Sequence, residues 1–90
     1  MKFAAVFPVN AFATDAVAIR DWAQAAEGLG YLRIVGFDHV VGAVHAGREV
    51  PLSGPYDETS VFHEPLTLFA FLAGITTKID FLTGMIILPQ

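Results

Sequence analysis

The chain has 90 residues, 54% apolar and 16% charged, with five Lys and Arg against nine Asp and Glu, a net charge of −4 and no cysteine. This composition excludes disorder, disulfide frameworks, thiol nucleophiles and thiolate metal sites, and with no two basic residues adjacent it offers no run to follow a phosphate backbone or an anionic leaflet. A domain this small buries only about 60% of the surface of its unfolded form, so a mean hydropathy of +0.57 is too oily for a self-sufficient unit and points to a piece of something larger.

Lys2 to Phe7 is a short apolar run ended by Pro8, the pattern of a strand buried on both faces. The same run fails as a secretory leader, because Pro8 and Asn10 keep it below the roughly 7–15 apolar residues that an h-region needs. With no cysteine and no leader, a cytoplasmic protein is expected. Thr14 and Asp15 then offer an N-cap and a first-turn carboxylate, and the helix they open runs to Leu29. Ala18, Trp22, Ala25, Ala26 and Leu29 form its apolar stripe, while Arg20, Gln24 and Glu27 mark another face. Gly30 follows as a left-handed C-cap.

Tyr31 to Gly36 reads as a second strand. Strand, helix and strand with short connections make a βαβ unit, with parallel strands and a right-handed crossover. Phe37 to Glu64 has no sustained period and holds all three histidines, with Gly42, Gly47, Pro51, Gly54 and Pro55. A loop of that length inside a compact domain is usually functional.

Glu64 and Pro65 open a second helix, with proline at the first helical position, where its missing N–H costs nothing. Leu66, Phe69, Ala70 and Ala73 make its apolar stripe, and Leu68, Phe71 and Leu72 make it greasy nearly all round. The uncharged stretch from Pro65 to Lys78 is shorter than the roughly 18–20 residues of a spanning helix. Ile79 to Leu88 is a third strand, ended by Pro89.

The order β-α-β-loop-α-β implies a parallel sheet with helices outside. Two architectures compete, an open doubly wound sheet and a closed barrel. No G-x-G-x-x-G follows the first strand and no Walker loop occurs. That favours the barrel. Residues 1–90 then form the amino-terminal third of an α/β (β/α)8 TIM barrel, which takes eight strands and about 250 residues. The excess apolar surface belongs to the strands and helices still to come.

In either architecture a ligand sits at the carboxyl ends of the strands. Asp38 and His39 stand just past the second strand. A carboxylate beside an imidazole there supplies a general acid/base or orients a bound ring; the plainer alternative is a loop cap and a half-buried polar residue. Thr83-Gly84-Met85 interrupts the third strand with glycine, which marks either a bulge or a backbone closely approached by something else. His39, His45, His63 and Glu64 could be metal ligands. Their spacing fits no H-E-x-x-H pair, and Pro65 stands in its way; His63 is expected as a loop or cap residue and His45 as solvent-facing. No Ser-His-Asp constellation or nucleophile elbow occurs.

Four segments in register resemble the luciferase-like monooxygenase superfamily, in particular its coenzyme F420-dependent oxidoreductases. They are Lys2-Phe3-Ala4-Ala5-Val6-Phe7-Pro8, Ala25-Ala26-Glu27-Gly28-Leu29-Gly30-Tyr31, Asp38-His39-Val40, and Glu64-Pro65-Leu66 leading on to Thr83-Gly84-Met85-Ile86-Ile87-Leu88-Pro89-Gln90. The resemblance implies a (β/α)8 barrel that binds coenzyme F420, or alternatively FMN, at its carboxyl-terminal mouth. It implies that Asp38 and His39 lie at the cofactor ring, with His39 the catalytic proton donor or acceptor. It also implies that Thr83, Gly84 and Met85 form a bulge against one face of that ring, often with a non-proline cis peptide. The matching stretch often begins Gly-Thr-Gly, where this chain has Leu82-Thr83-Gly84.

The implied activity is hydride transfer or oxygen activation on a small-molecule substrate, by a full-length protein that is a homodimer, with no nucleic-acid, membrane or metal partner. The phosphate-bearing cofactor tail belongs to loops after strands seven and eight, so the 90-residue chain alone is expected to be inactive. An FMNH2-dependent monooxygenase is the alternative within enzymes. A small non-catalytic βαβαβ module dimerising through unpaired strand edges is the alternative outside them.

Overall fold

A computed structural model describes residues 1–89. Its elements are β1 (Ala4–Val6), α1 (Ala16–Gly28), β2 (Arg33–Phe37), α2 (Pro65–Ala73) and β3 (Asp80–Met85). The three strands form one parallel sheet in the order β1-β2-β3. The chain is thus a small α/β unit of the expected element order.

The strands are shorter than the apolar runs that encode them, because a strand lasts only as long as its partner. Beyond β1 the ladder continues through single bonds, Leu32 N–H to the Phe3 carbonyl and Phe7 N–H to that of Val35. β2 starts two residues late, since the exit from α1 consumes Tyr31 and Leu32, and it runs one residue further, to Phe37. β3 ends at Met85 rather than Leu88, where β2 runs out as partner.

Both helices begin on carboxylates. Asp15 caps α1 by accepting from the N–H groups of Val17 and Ala18, and Glu64 caps α2 from those of Leu66 and Thr67, with Pro65 in the first turn. α1 closes in a Schellman motif: Gly30 N–H donates to the Glu27 carbonyl and Tyr31 N–H to that of Ala26. Gly30 takes φ +87° there, a conformation that glycine adopts without the Cβ penalty.

Both apolar stripes are rotated from the sequence expectation. The core-facing residues of α1 are Ile19, Ala23 and Ala26, with Trp22 packed beside them, whereas Leu29 is 79% exposed. In α2 they are Pro65, Leu68, Phe69 and Leu72, whereas Leu66, Ala70 and Ala73 face outward. Phe7, Ile34 and Ile79 complete the core, and Phe69 stacks on Phe81 at 5.2 Å.

The register sets Ala5, Ile34 and Phe81 side by side on the face that the helices cover. The opposite face carries Val6, Val35 and Leu82 in one row and Ala4, Arg33 and Asp80 in the next. Val6 is 58% and Leu82 45% exposed, and Arg33 holds Asp80 through two hydrogen bonds of 2.6 and 2.8 Å. Among the described residues nothing covers this face, and no helix is long and apolar enough to cross a membrane.

Candidate functional site

The carboxyl ends of β2 and β3 are tied together by Asp38. Its backbone N–H donates to the Met85 carbonyl at 3.1 Å, and its carboxylate Oδ2 accepts from the Ile87 N–H at 2.9 Å. Only 8% of the residue is exposed. Asp38 therefore replaces the ladder partner that β3 loses when β2 ends, and it fixes the residues after the bulge. That carboxylate serves the backbone, which makes Asp38 a positioning group at the strand ends.

The bulge expected at Thr83-Gly84-Met85 is present. Gly36 pairs with Thr83, but the next β2 residue, Phe37, pairs with Met85, so Gly84 is the extra residue of β3. The Phe37 ring lies over it: a Cβ at Gly84 would stand 2.5 Å from that ring. Close approach thus accounts for the glycine. The bulge forms without the cis peptide that the resemblance often carries, since every described peptide is trans.

His39 projects into a pocket of about 230 Å³ lined by Val9, Phe37, Tyr56, Phe62 and Met85, with Asp38 behind. Its ring sits 4.2 Å from that of Phe62 and 5.2 Å from that of Tyr56, and these two meet edge-on at 5.2 Å. Of the expected site residues, Asp38, His39 and Met85 converge here. Thr83 and Gly84 support the bulge but do not line the pocket.

Tyr56 and Phe62 were not singled out from sequence. They are the only aromatic rings other than histidine between Asp38 and His63, and that scarcity in a long aperiodic loop was the available signal. His45 helps to hold Tyr56 in place, donating from Nε2 to its carbonyl at 2.9 Å; it is half-buried rather than solvent-facing. Asp57 organises the next turn by accepting from the Thr59 N–H and hydroxyl and from the Ser60 hydroxyl. These bonds hold its carboxyl below the usual range.

A second, larger cleft of about 370 Å³ opens between the first turns of α1 and α2. Ile19, Phe62, Leu68 and Phe71 make its apolar surface, and Thr14, His63, Glu64 and Thr67 stand around it. His63 donates from Nε2 to the Ala13 carbonyl at 2.7 Å, and its ring meets Phe7 edge-on at 5.9 Å. That bond ties down the β1–α1 turn, where Ala13 takes φ +46°. Among the described residues no three acidic or histidine groups gather as a metal site.

The His39 pocket is smaller than the about 300–1,000 Å³ of complete small-molecule sites. No family model, curated protein or solved structure matches the chain.

Proposed function

We propose that the chain is the amino-terminal portion of a cytoplasmic (β/α)8-barrel oxidoreductase that uses coenzyme F420 or FMN at its carboxyl-terminal mouth. The observation that carries this reading is the convergence of His39 and Met85 in one apolar pocket at the carboxyl ends of adjacent parallel strands, with Asp38 clamping the bulged strand beside them. In sheets of this kind, ligands bind at that end.

A bound deazaflavin or flavin would supply the hydride or the oxygen chemistry. His39 and Met85 would line one edge of its ring, with Phe62 and Tyr56 keeping water from the imidazole. His39 then holds or moves the proton that accompanies electron transfer. Asp38, occupied by the Ile87 N–H, acts through the backbone it fixes. Thr83 and Gly84 act in the same indirect way, by shaping the bulge that presents Met85.

The anionic tail of such a cofactor is held elsewhere. Helix N-termini are ready anion sites, but Asp15 and Glu64 already fill both of those present. This agrees with a tail site on later strands and with an inactive 90-residue chain.

The test is turnover by the protein encoded by the longer reading frame. Oxidation of reduced F420 without oxygen and oxygen uptake with reduced FMN are measured side by side, and the faster reaction identifies the cofactor. His39→Ala is expected to lower the faster rate by about 10²–10⁴-fold. Turnover within a few-fold of the parent would remove His39 from the chemistry, and no turnover with either cofactor would overturn the assignment.

A further inference from the structure

The cleft between α1 and α2 and the pocket of His39 share a single wall, Phe62. The Phe62 ring lies tilted against that of His39 at 4.2 Å, and it also lines the larger cleft. At about 370 Å³ the cleft has the size of a small-molecule site. Its surface from Ile19, Leu68 and Phe71 is apolar, and it lies at the carboxyl side of the sheet, where α1 and α2 both begin.

Charge around the cleft selects the kind of occupant. Glu64 is the one formally charged side chain in its lining. The Thr67 hydroxyl and the Thr67 and Leu66 N–H groups bond to its carboxylate and hold it ionised below its ordinary range. Asp15 neutralises the neighbouring helix end in the same way. An anion entering here meets negative charge and no free helix terminus, whereas an uncharged apolar body can rest on Ile19, Phe62, Leu68 and Phe71 with the polar groups of Thr14, His63, Glu64 and Thr67 around it.

We infer that this cleft is a subsite for an uncharged, mainly apolar substrate, with Phe62 as the partition that brings one end of it alongside His39. The substrate role rests on the oxidoreductase reading. Occupancy of the cleft does not, so the two can fail separately.

The experiment is an amide-shift titration of the protein encoded by the longer reading frame with N-phenyl-1-naphthylamine, an uncharged apolar probe. Saturable shifts are expected at Ile19, Phe62, Leu68 and Phe71, spreading to His39. Thr67→Trp, which fills the rim, is expected to weaken binding by at least about tenfold, whereas Glu49→Ala, at an exposed loop position outside the cleft lining, changes it by less than about twofold. Ala16→Trp blocks the same cleft from α1 and serves if Thr67→Trp loses its dispersed spectrum.

Shifts centred on Val6, Val35 and Leu82, or unchanged affinity in a folded blocking variant, would overturn the inference. So would equal binding of the anionic analogue 8-anilinonaphthalene-1-sulfonate in the cleft. Cleft binding without redox turnover in the longer protein would remove the oxidoreductase reading and leave the binding site standing.

Discussion

Three consecutive backbone N–H groups, at Thr77, Lys78 and Ile79, converge on the carboxylate of Glu27 from α1. Their hydrogen bonds, Lys78 first, hold the Glu27 pKa below its ordinary 4.5. In the unfolded chain the group protonates at that ordinary value, so the stability it contributes is complete above pH 4.5 and is lost as pH falls through the lower folded value. Glu64, lowered by its bonds to Thr67 and Leu66, and Asp80, lowered by Arg33, add to the same acid sensitivity. Glu27→Gln is expected to reduce stability at pH 7 and to flatten its loss below pH 4.5. Urea unfolding across a pH series measures both, and an unchanged acid slope would contradict the assignment. From sequence, Glu27 reads only as part of a polar helix face, because its partners lie some 50 residues away and no local pattern announces them.

Helix and strand existence was legible from local rules, and orientation was not. Gly30, Glu64 and Pro65 each act at the helix end where cap chemistry places them, and α1 is capped one residue later than expected, by Asp15 itself rather than Thr14; a cap is a contact between near neighbours in sequence. Which face turns inward depends on distant packing. Five alanines in α1 give hydropathy little leverage there. α2 has no charged residue to mark an outer side, so of the stripe read from Leu66, Phe69, Ala70 and Ala73 only Phe69 is buried and the other three lie on the exposed side of the helix. The consequence is measurable: Leu72→Ala, at a fully buried position, is expected to cost about 2–5 kcal/mol, and Leu66→Ala no more than about 0.5 kcal/mol. Comparable losses in denaturant unfolding would mean that α2 packs the other way round. At the site, the Gly84 bulge and the strand-end position of His39 followed from glycine and strand order. Tyr56 and Phe62 were hidden because an aperiodic loop encodes its contacts only in three dimensions.

Seen whole, the molecule has one finished face and one unfinished one. Helices and core cover Ala5, Ile34 and Phe81, while Val6, Leu82, Phe37 and Met85 stand more than two-fifths exposed on the other side. Among the described residues β1 and β3 each have a single strand neighbour. Parallel sheets are stable where both faces are covered, and unpaired edges invite association. A closed barrel satisfies both requirements: the open face becomes its packed interior, and β1 and β3 gain neighbours from later strands. In the proposed barrel the same closure would enlarge the pocket around His39 and add loops to hold a cofactor tail. The functional proposal thus depends on continuation of the chain. Translation of the native coding sequence past codon 90 tests this most directly. The barrel account predicts further strand-helix units, towards a total of about 250 residues. A stop codon immediately after Gln90 would contradict it.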